Sequence, residues 1–493
     1  MSKHRYALLA GLLLVLMLFH AVRGAWVSDF WEHAAVVREL ATHPLSPHHP
    51  LLLSDAPHAF FSPYAVALAS ASRVLGSDPV ATLAAVGIAN LILLLIGLRW
   101  FVGAIFEGDH DAISFYFLLL LLVLWGREPW FWSGFLHFGA LGHVLPYPST
   151  FAAALMFVGL AAYARHLQTG SARWVLPLFP LLWICFLTHP TTALGSVIGL
   201  VAVFIGFAGR PSARGVSVLL ALCALPLLAT SVWPYFDYLE LLFHPTLGYE
   251  FHDKSRLLYT DVFGKIFPAL AGVPILALRL RDDRRDVLAW LVFGLFAVYA
   301  LGALSGSWGA GRVMGQLVMF LQLAIALGVA QLEMRLPRVR LAALLAALAA
   351  VALWSGNAAW GWSQATGSAG RAHRYHFLSE YVGQYDVVLT DLTTAWLVPT
   401  FGGKIVASPH PLYWIDDHEK RRRAVSRFFR VATPQRARRR IIARYGAKFV
   451  LLDSRRVELT QRVKDDLFHL GSLVYEGEGM QLIALHPPEP RDD

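Results

Sequence analysis

About eleven apolar runs recur between Tyr6 and Leu353, and almost every turn at one end of them carries arginine. A bilayer core asks for roughly 20 apolar residues per helix, and the runs 6–22, 79–106, 113–125, 147–164, 175–187, 191–207, 216–233, 266–278, 287–304, 313–330 and 341–353 approach that length. Backbone in hydrocarbon must satisfy its own hydrogen bonds, so such runs are read as helices. Composition agrees: 56% of residues are hydrophobic and 15% charged, with a mean hydropathy of +0.52. Soluble domains carry about 25% charge, so the chain is read as a polytopic α-helical membrane protein. The net charge of +9 does not point to nucleic acid, because much of the arginine sits in the short turns, where it sets orientation.

Lys3 and Arg5 place the N-terminus on the basic, cytoplasmic side. The turns with Arg165 and Arg173, Arg210 and Arg214, Arg279 to Arg285, and Arg335 to Arg340 fall on that side too; only the turn 107–111 lacks a cation of its own. An odd number of crossings puts the C-terminus outside. No clear small-residue cleavage site follows the first run, so it is read as a retained span. Cys185 and Cys223 both lie in apolar runs and imply no disulfide framework.

Three domains are expected: a transmembrane domain over 1–357 with a first outer loop at 25–76, a linker at 358–377, and a small extracytoplasmic α/β domain over 378–493. In the outer loop, an amphipathic helix is expected at about 30–41 and an interfacial helix at about 62–75. Pro44, Pro47, Pro50 and Pro57 forbid one continuous helix between them. In the C-terminal domain, 386–390, 404–407, 448–453, 472–475 and 481–485 read as strands, 416–429 and 434–445 as helices, and Glu476-Gly477-Glu478-Gly479 as a hairpin turn. There is no phosphate loop and no dinucleotide fingerprint.

Chemistry-bearing residues gather on the outer side. Ser28-Asp29-Phe30-Trp31-Glu32-His33 follows directly on the first span. On a helix, Asp29 and His33 are four apart and share a face, with Glu32 beside them. Arg127, Glu128, His137 and His143 lie in the second outer loop, Tyr249 to Arg256 in the third, and Arg312 at the mouth of the tenth run. The plain alternatives are a wet interfacial helix for the first group, a solvated loop for Tyr249-Glu250-Phe251-His252-Asp253-Lys254, and a snorkelling anchor for Arg312. The chemistry that fits the groups together is glycosyl transfer from a lipid phosphate, in which a carboxylate deprotonates the acceptor and cations neutralise the leaving phosphate. Asp29 is then the candidate base, assisted by Glu32 and His33. Glu128, His143, Lys254, Arg256 and Arg312 are candidate substrate-binding residues. His43, His48, His49, His58 and Asp55 form a local cluster, but their spacing matches no closed metal site. No metal ligand is assigned, and a divalent cation is compatible with the sequence without being required by it.

The order of features, with Asp29-x-x-x-His33 behind the first span and Phe61-Ser62-Pro63-Tyr64 through Gly76-Ser77-Asp78-Pro79 leading into the second, resembles the GT-C superfamily of membrane glycosyltransferases, near protein O-mannosyltransferases and lipid A aminoarabinose transferases. The resemblance covers essentially the whole chain. It implies a catalytic acid in the first outer loop, a place that Asp29 occupies here, and an inverting transfer from a polyprenyl-phosphate sugar donor. The acceptor would be an extracytoplasmic glycan, lipid or protein, and the enzyme would sit among the lipids of the plasma (inner) membrane. Two departures stand: there is no Trp-Trp-Asp-Tyr-Gly signature, and no Asp-x-Asp in the second outer loop, where Glu128 is the sole acid. They leave metal dependence and acceptor class open. The competing readings are a transporter or flippase of lipid-linked glycans, which expects ionisable residues at mid-bilayer depth, and a non-catalytic membrane scaffold.

Overall fold

The structure is a computed structural model that describes residues 4–209, 211–243, 254–367, 370, 372–410, 412–457 and 459–486. The chain forms two compact units, each assembled from separate stretches: Met1–Arg23 with Ala84–Ser368, and Gly24–Leu83 with Ala369–Asp493. The first outer loop therefore belongs to the same unit as the C-terminal α/β region, whereas the sequence reading attached it to the spans.

The first unit is helical. Among the described residues, eight helices are long and apolar enough to cross a membrane, beginning with Arg5–Arg23 and ending with Trp308–Arg335. A ninth candidate is the pair Val339–Ser355 and Asn357–Thr366, bent by 64°. His110–Val123 and Ala172–Thr188 are apolar but shorter. Each of the eleven expected runs thus falls on a helix, while length and hydropathy qualify eight or nine as spans. The protein is an integral membrane protein. The break in the bent pair sits at Gly356, whose φ of 73° is left-handed and ends the first helix at little cost because glycine has no Cβ.

Polar residues in this unit tie helices to one another. Arg5 donates to both carboxylate oxygens of Glu333 (2.7 and 2.9 Å), and the Tyr116 hydroxyl donates to Glu333 Oε2 (3.1 Å). Asn357 Nδ2 donates to the Leu122 carbonyl, and Gln322 Nε2 to that of Leu124. Removed from water, such groups need partners, and these fix the register of neighbouring helices.

The second unit is built on a five-stranded sheet in the order β2-β1-β3-β5-β4: β1 Val387–Leu389, β2 Lys404–Ile405, β3 Ala447–Asp453, β4 Gly471–Gly477 and β5 Met480–Leu485. β1 runs parallel to β2 and β3, and β5 runs antiparallel to β3 and β4. The strands sit within a few residues of their expected places, because β-branched and apolar residues fill them. The β4–β5 hairpin turns at Glu478 and Gly479, both with positive φ (52° and 80°), the conformation that tight hairpins use. Helices His418–Phe428, Gln435–Tyr445 and Gln461–Phe468 contribute Phe428, Ile442 and Leu467 to a core with Val387, Leu389, Val450 and Ile483. The third of these helices had no counterpart in the sequence reading.

The two outer-loop helices complete this unit. Pro63–Leu75 starts on Ser62, whose Oγ accepts from the Ala65 N–H (3.3 Å), and ends on Gly76 in the left-handed region. Phe30–Thr42 is buried along almost its whole length, so the expected wet polar face is absent. It is covered by Pro63–Leu75 and by Val398–Phe401, with the Thr400 hydroxyl donating to the Trp31 carbonyl (3.0 Å) and Arg38 Nη1 to that of Pro399 (3.1 Å). At the sheet edge the Ile405 N–H donates to the Leu51 carbonyl (2.8 Å).

Candidate active site

Helix Phe30–Thr42 begins at a sharp reversal. Ser28 holds a positive φ of 58°, Trp26 stacks on Phe30 at 4.5 Å, and Asp29 occupies the N-cap. The Asp29 carbonyl accepts from the His33 N–H (3.0 Å). One turn of helix thus carries the three expected catalytic residues, in unequal surroundings. The Asp29 side chain is 27% exposed, that of Glu32 only 5%, and His33 is buried with its ring stacked on Phe60 at 4.7 Å.

Glu32 is held by two histidines from elsewhere in the unit. Its Oε1 lies 3.2 Å from His58 Nε2. The Phe60 N–H donates to His58 Nδ1 (3.2 Å), so the proton of a neutral His58 sits on Nε2 and is donated to Glu32. The other carboxylate oxygen, Oε2, is buried without a hydrogen-bond partner and stands 3.7 Å from His410 Nδ1. The same His410 nitrogen is 3.5 Å from Asp29 Oδ1. His410 therefore stands between the two carboxylates, its ring edge-on to Trp396 at 4.4 Å. Burial alone would raise the Glu32 carboxyl, but the imidazoles of His410 and His58 outweigh it and hold the group well below the ordinary carboxylate range. Glu32 is thus ionised at neutral pH. His33 goes the other way: burial outweighs the pull of Asp29 and Glu32 and lowers it to about 4, so it is neutral.

Beside this cluster lies a second buried ion pair. Lys404 Nζ is 2.8 Å from Glu39 Oε2 and also donates to the carbonyls of His49 (2.8 Å) and Pro50 (3.3 Å). Glu39 Oε1 accepts from the His48 N–H (3.1 Å). His49 Nδ1 accepts from the N–H groups of Leu51 and Leu52. Among the described residues, no group of three or more His, Cys, Asp or Glu has a geometry that would hold a metal ion.

The expected substrate-binding residues lie in the first unit. Glu128 is exposed at a left-handed φ of 47°, and its carbonyl accepts from Lys265 Nζ (2.6 Å). The N–H groups of Gly126 and Arg127 donate to the carbonyls of Lys265 and Gly264, which joins the second and third outer loops. Arg256 lies over Trp308 at 5.6 Å and Arg312 over Trp132 at 5.5 Å. Their turns, Arg256–Tyr259 and Trp308–Val313, adjoin through Tyr259, which meets Trp308 edge-on at 5.2 Å. Lys254 is exposed. His143 stands apart from this group: it is buried, with Nε2 3.0 Å from Gln364 Oε1 and its ring edge-on to His20. Tyr249 to Asp253 lie outside the described residues.

No protein-family model matches the chain, and no curated protein matches it. Solved structures do. The oligosaccharyltransferase of Archaeoglobus fulgidus in its apo form has a TM-score of 0.58 at 13% identity, over 92% of this chain and 70% of that one. AglB of the same organism, solved with an inhibitory peptide and a dolichol-phosphate, gives 0.56 at 12% identity, over 90% and 69%. ArnT of Cupriavidus metallidurans in the apo state gives 0.54 at 14% identity, over 97% of each chain.

The chain has the GT-C fold.

The sequence reading named Asp29, Glu32 and His33 as catalytic candidates but passed over what surrounds them. His58 was considered only as a metal ligand, and His410 and the Glu39–Lys404 pair not at all. Lys404 carried a legible signal, being the one charge in an apolar strand, and Glu39 repeats Glu32 seven residues on, hence on the same helix face. His410, in Ser408-Pro409-His410-Pro411, has no spacing that would tie it to residue 32.

Proposed function

We propose that the protein transfers a sugar from a polyprenyl-phosphate-linked donor to an extracytoplasmic acceptor at the plasma (inner) membrane, with Asp29 as the base. The observation that carries this reading is the division of labour between the two carboxylates. Glu32 is buried, ionised and engaged with His58, which suits it to hold His410 in place. Asp29, three residues earlier, keeps an open face. In the reaction, Asp29 takes the proton of the acceptor hydroxyl as its oxygen attacks the anomeric carbon from the side opposite the phosphate. The bond from that carbon to the phosphate oxygen breaks, the configuration inverts, and the lipid phosphate leaves as an anion. His410 Nδ1, 3.5 Å from Asp29 Oδ1, orients the carboxylate as a donor, and the proton that Asp29 takes passes to solvent once the product leaves. Neutral His33 packs the helix turn from behind.

The leaving phosphate calls for cations in a water-poor place. Arg256 and Arg312 are the proposed partners, because each guanidinium is steadied by a tryptophan ring and can engage phosphate oxygens in pairs. Lys254 and Glu128 are proposed as further substrate-binding residues, and His143 as support for the second loop through Gln364. Support from outside the chain comes from the GT-C fold, and from the dolichol-phosphate and peptide that accompany AglB.

The test is Asp29→Asn in the full-length protein reconstituted with a pool of lipid-linked sugars. Asparagine keeps the shape, and no side-chain capping bond is lost because Asp29 makes none, but the base is removed. Transfer should fall at least roughly 100-fold, as expected for loss of a general base, with the melting temperature unchanged. Undiminished transfer would remove Asp29 from the mechanism.

A further inference from the structure

The two helices His418–Phe428 and Gln435–Tyr445 share a groove of about 350 Å³. Lys420, Arg423 and Arg427 line it from the first helix, and Arg440 and Arg444 from the second. Their spacings of three and four residues put each set on one helix face. Ala424 and Ala437 leave the space between them open, and Ile441 with Tyr445 forms the apolar part of the lining. All five cations are exposed, and among the described residues none of them pairs with a carboxylate. Three acids near these helices are engaged by other arginines: Asp417 by Arg421 (2.6 Å), Glu419 by Arg422 (3.2 Å) and Asp466 by Arg438 (2.8 Å).

That arrangement works against the fold. Like charges three or four apart destabilise a helix, and cations facing each other within about 8 Å are only partly screened at physiological salt. The hairpin is nevertheless firmly built. Arg438 is fully buried and donates to the carbonyls of Phe428 (3.0 Å) and Arg430 (2.9 Å) at the end of the first helix. The Thr433 hydroxyl donates to the Arg427 carbonyl (2.6 Å). The groove walls are therefore preorganised, while their charge is left without a counterpart.

We infer that this groove binds a ligand presenting two or more phosphate groups. Four of the five cations are arginines, whose planar forks match phosphate oxygens, and they face one another across a cleft, which suits an anion entering between them. The site is separate from the residues around Glu32, and the inference stands whether or not Asp29 is the base. Two sources can present this chemistry, the headgroups of anionic lipids and a soluble phosphate-bearing chain, and the experiment separates them.

Full-length protein in phosphatidylcholine nanodiscs is titrated with tripolyphosphate by calorimetry, and in a second arm is mixed with phosphatidylglycerol vesicles and tested for co-flotation. Binding is expected in at least one arm. Tripolyphosphate binding alone assigns the groove to a soluble chain, and vesicle binding assigns it to lipid headgroups. A variant combining Arg423→Gln, Arg427→Gln, Arg440→Gln and Arg444→Gln should bind at least about tenfold more weakly, since charge-assisted contacts are the stronger kind. Ala437→Phe, which fills the groove and keeps every charge, should weaken binding as well. Arg430→Gln, Arg436→Gln, Arg439→Gln and Arg462→Gln together remove the same charge elsewhere and should leave binding within twofold on this reading. No binding in either arm, or equal loss in the two quadruple variants with Ala437→Phe unaffected, overturns the inference.

Discussion

Asp29 and Glu32 are separated by three residues and by their access to water. The Asp29 side chain is partly exposed, while Glu32 is enclosed and charged because His58 and His410 make it so. This enclosure gives the unit an acid-side weakness. The Glu32 carboxyl titrates lower in the folded chain than its ordinary value of 4.5, so its contribution is present above that value and is lost as pH falls through the folded one. His33 adds a window at milder pH. It is lowered from 6.5 to about 4 by burial, so between those values the unfolded chain binds a proton that the folded chain does not, and stability falls as pH drops from 6.5 toward 4. Melting temperatures of the wild type should therefore decline across that interval, and His33→Phe, which keeps an aromatic ring against Phe60, should flatten the decline. An identical slope in the variant would show that other groups set it. The positions of Asp29, Glu32 and His33 were legible in the sequence because one helical turn fixes them relative to one another. Their environments were not, since those depend on His58 and on His410, 378 positions beyond Glu32.

At the scale of elements, the period of the apolar residues and the turn chemistry located all five strands, the two basic helices, both loop helices and the membrane helices. What they missed was which faces become covered. Helix Phe30–Thr42 reads as amphipathic because Glu32, Arg38 and Glu39 break its apolar run. Glu32 and Glu39 are buried and Arg38 is half-buried, each answered by a group distant in sequence: Arg38 by the Pro399 carbonyl and Glu39 by Lys404. The Glu39–Lys404 pair joins this helix to β2. Leaving one member of such a buried pair alone costs about 3–5 kcal/mol, whereas replacing both by apolar groups is often close to neutral. Lys404→Met should therefore lower the melting temperature of the full chain markedly, and Lys404→Met with Glu39→Leu should recover most of the loss. If the double variant melts no higher than the single one, the pair is not what couples helix to strand. The helix Gln461–Phe468 escaped the sequence reading because its short length offers only Val463 and Leu467 as buried residues, too few for a periodic signal.

At the scale of the molecule, the sequence reading gave the membrane architecture and the GT-C fold, but not the way the chain divides. Residues 24–83 and 369–493 make one compact unit, joined by the backbone hydrogen bond between Ile405 and Leu51 and by the salt link between Lys404 and Glu39. Two stretches that share a sheet edge and a buried ion pair lie on one side of a bilayer. Single cysteines at the exposed positions Ser46 and Ser426, introduced after Cys185 and Cys223 are replaced by alanine, should react with an impermeant maleimide from the same side of sealed vesicles. Reaction from opposite sides would contradict this unit. Its two-part construction also sets an order of events during synthesis. Glu39 leaves the ribosome 365 residues before Lys404, a wait of roughly 20–70 s at about 5–20 residues per second. Through that interval Glu32 lacks His410 and Glu39 lacks its cation, so the carboxylates stand unassembled while every membrane helix is threaded. A chain cut short before residue 404 would carry its membrane helices but neither Lys404 nor His410, so the pairs around Glu39 and Glu32 form only once synthesis has passed residue 410.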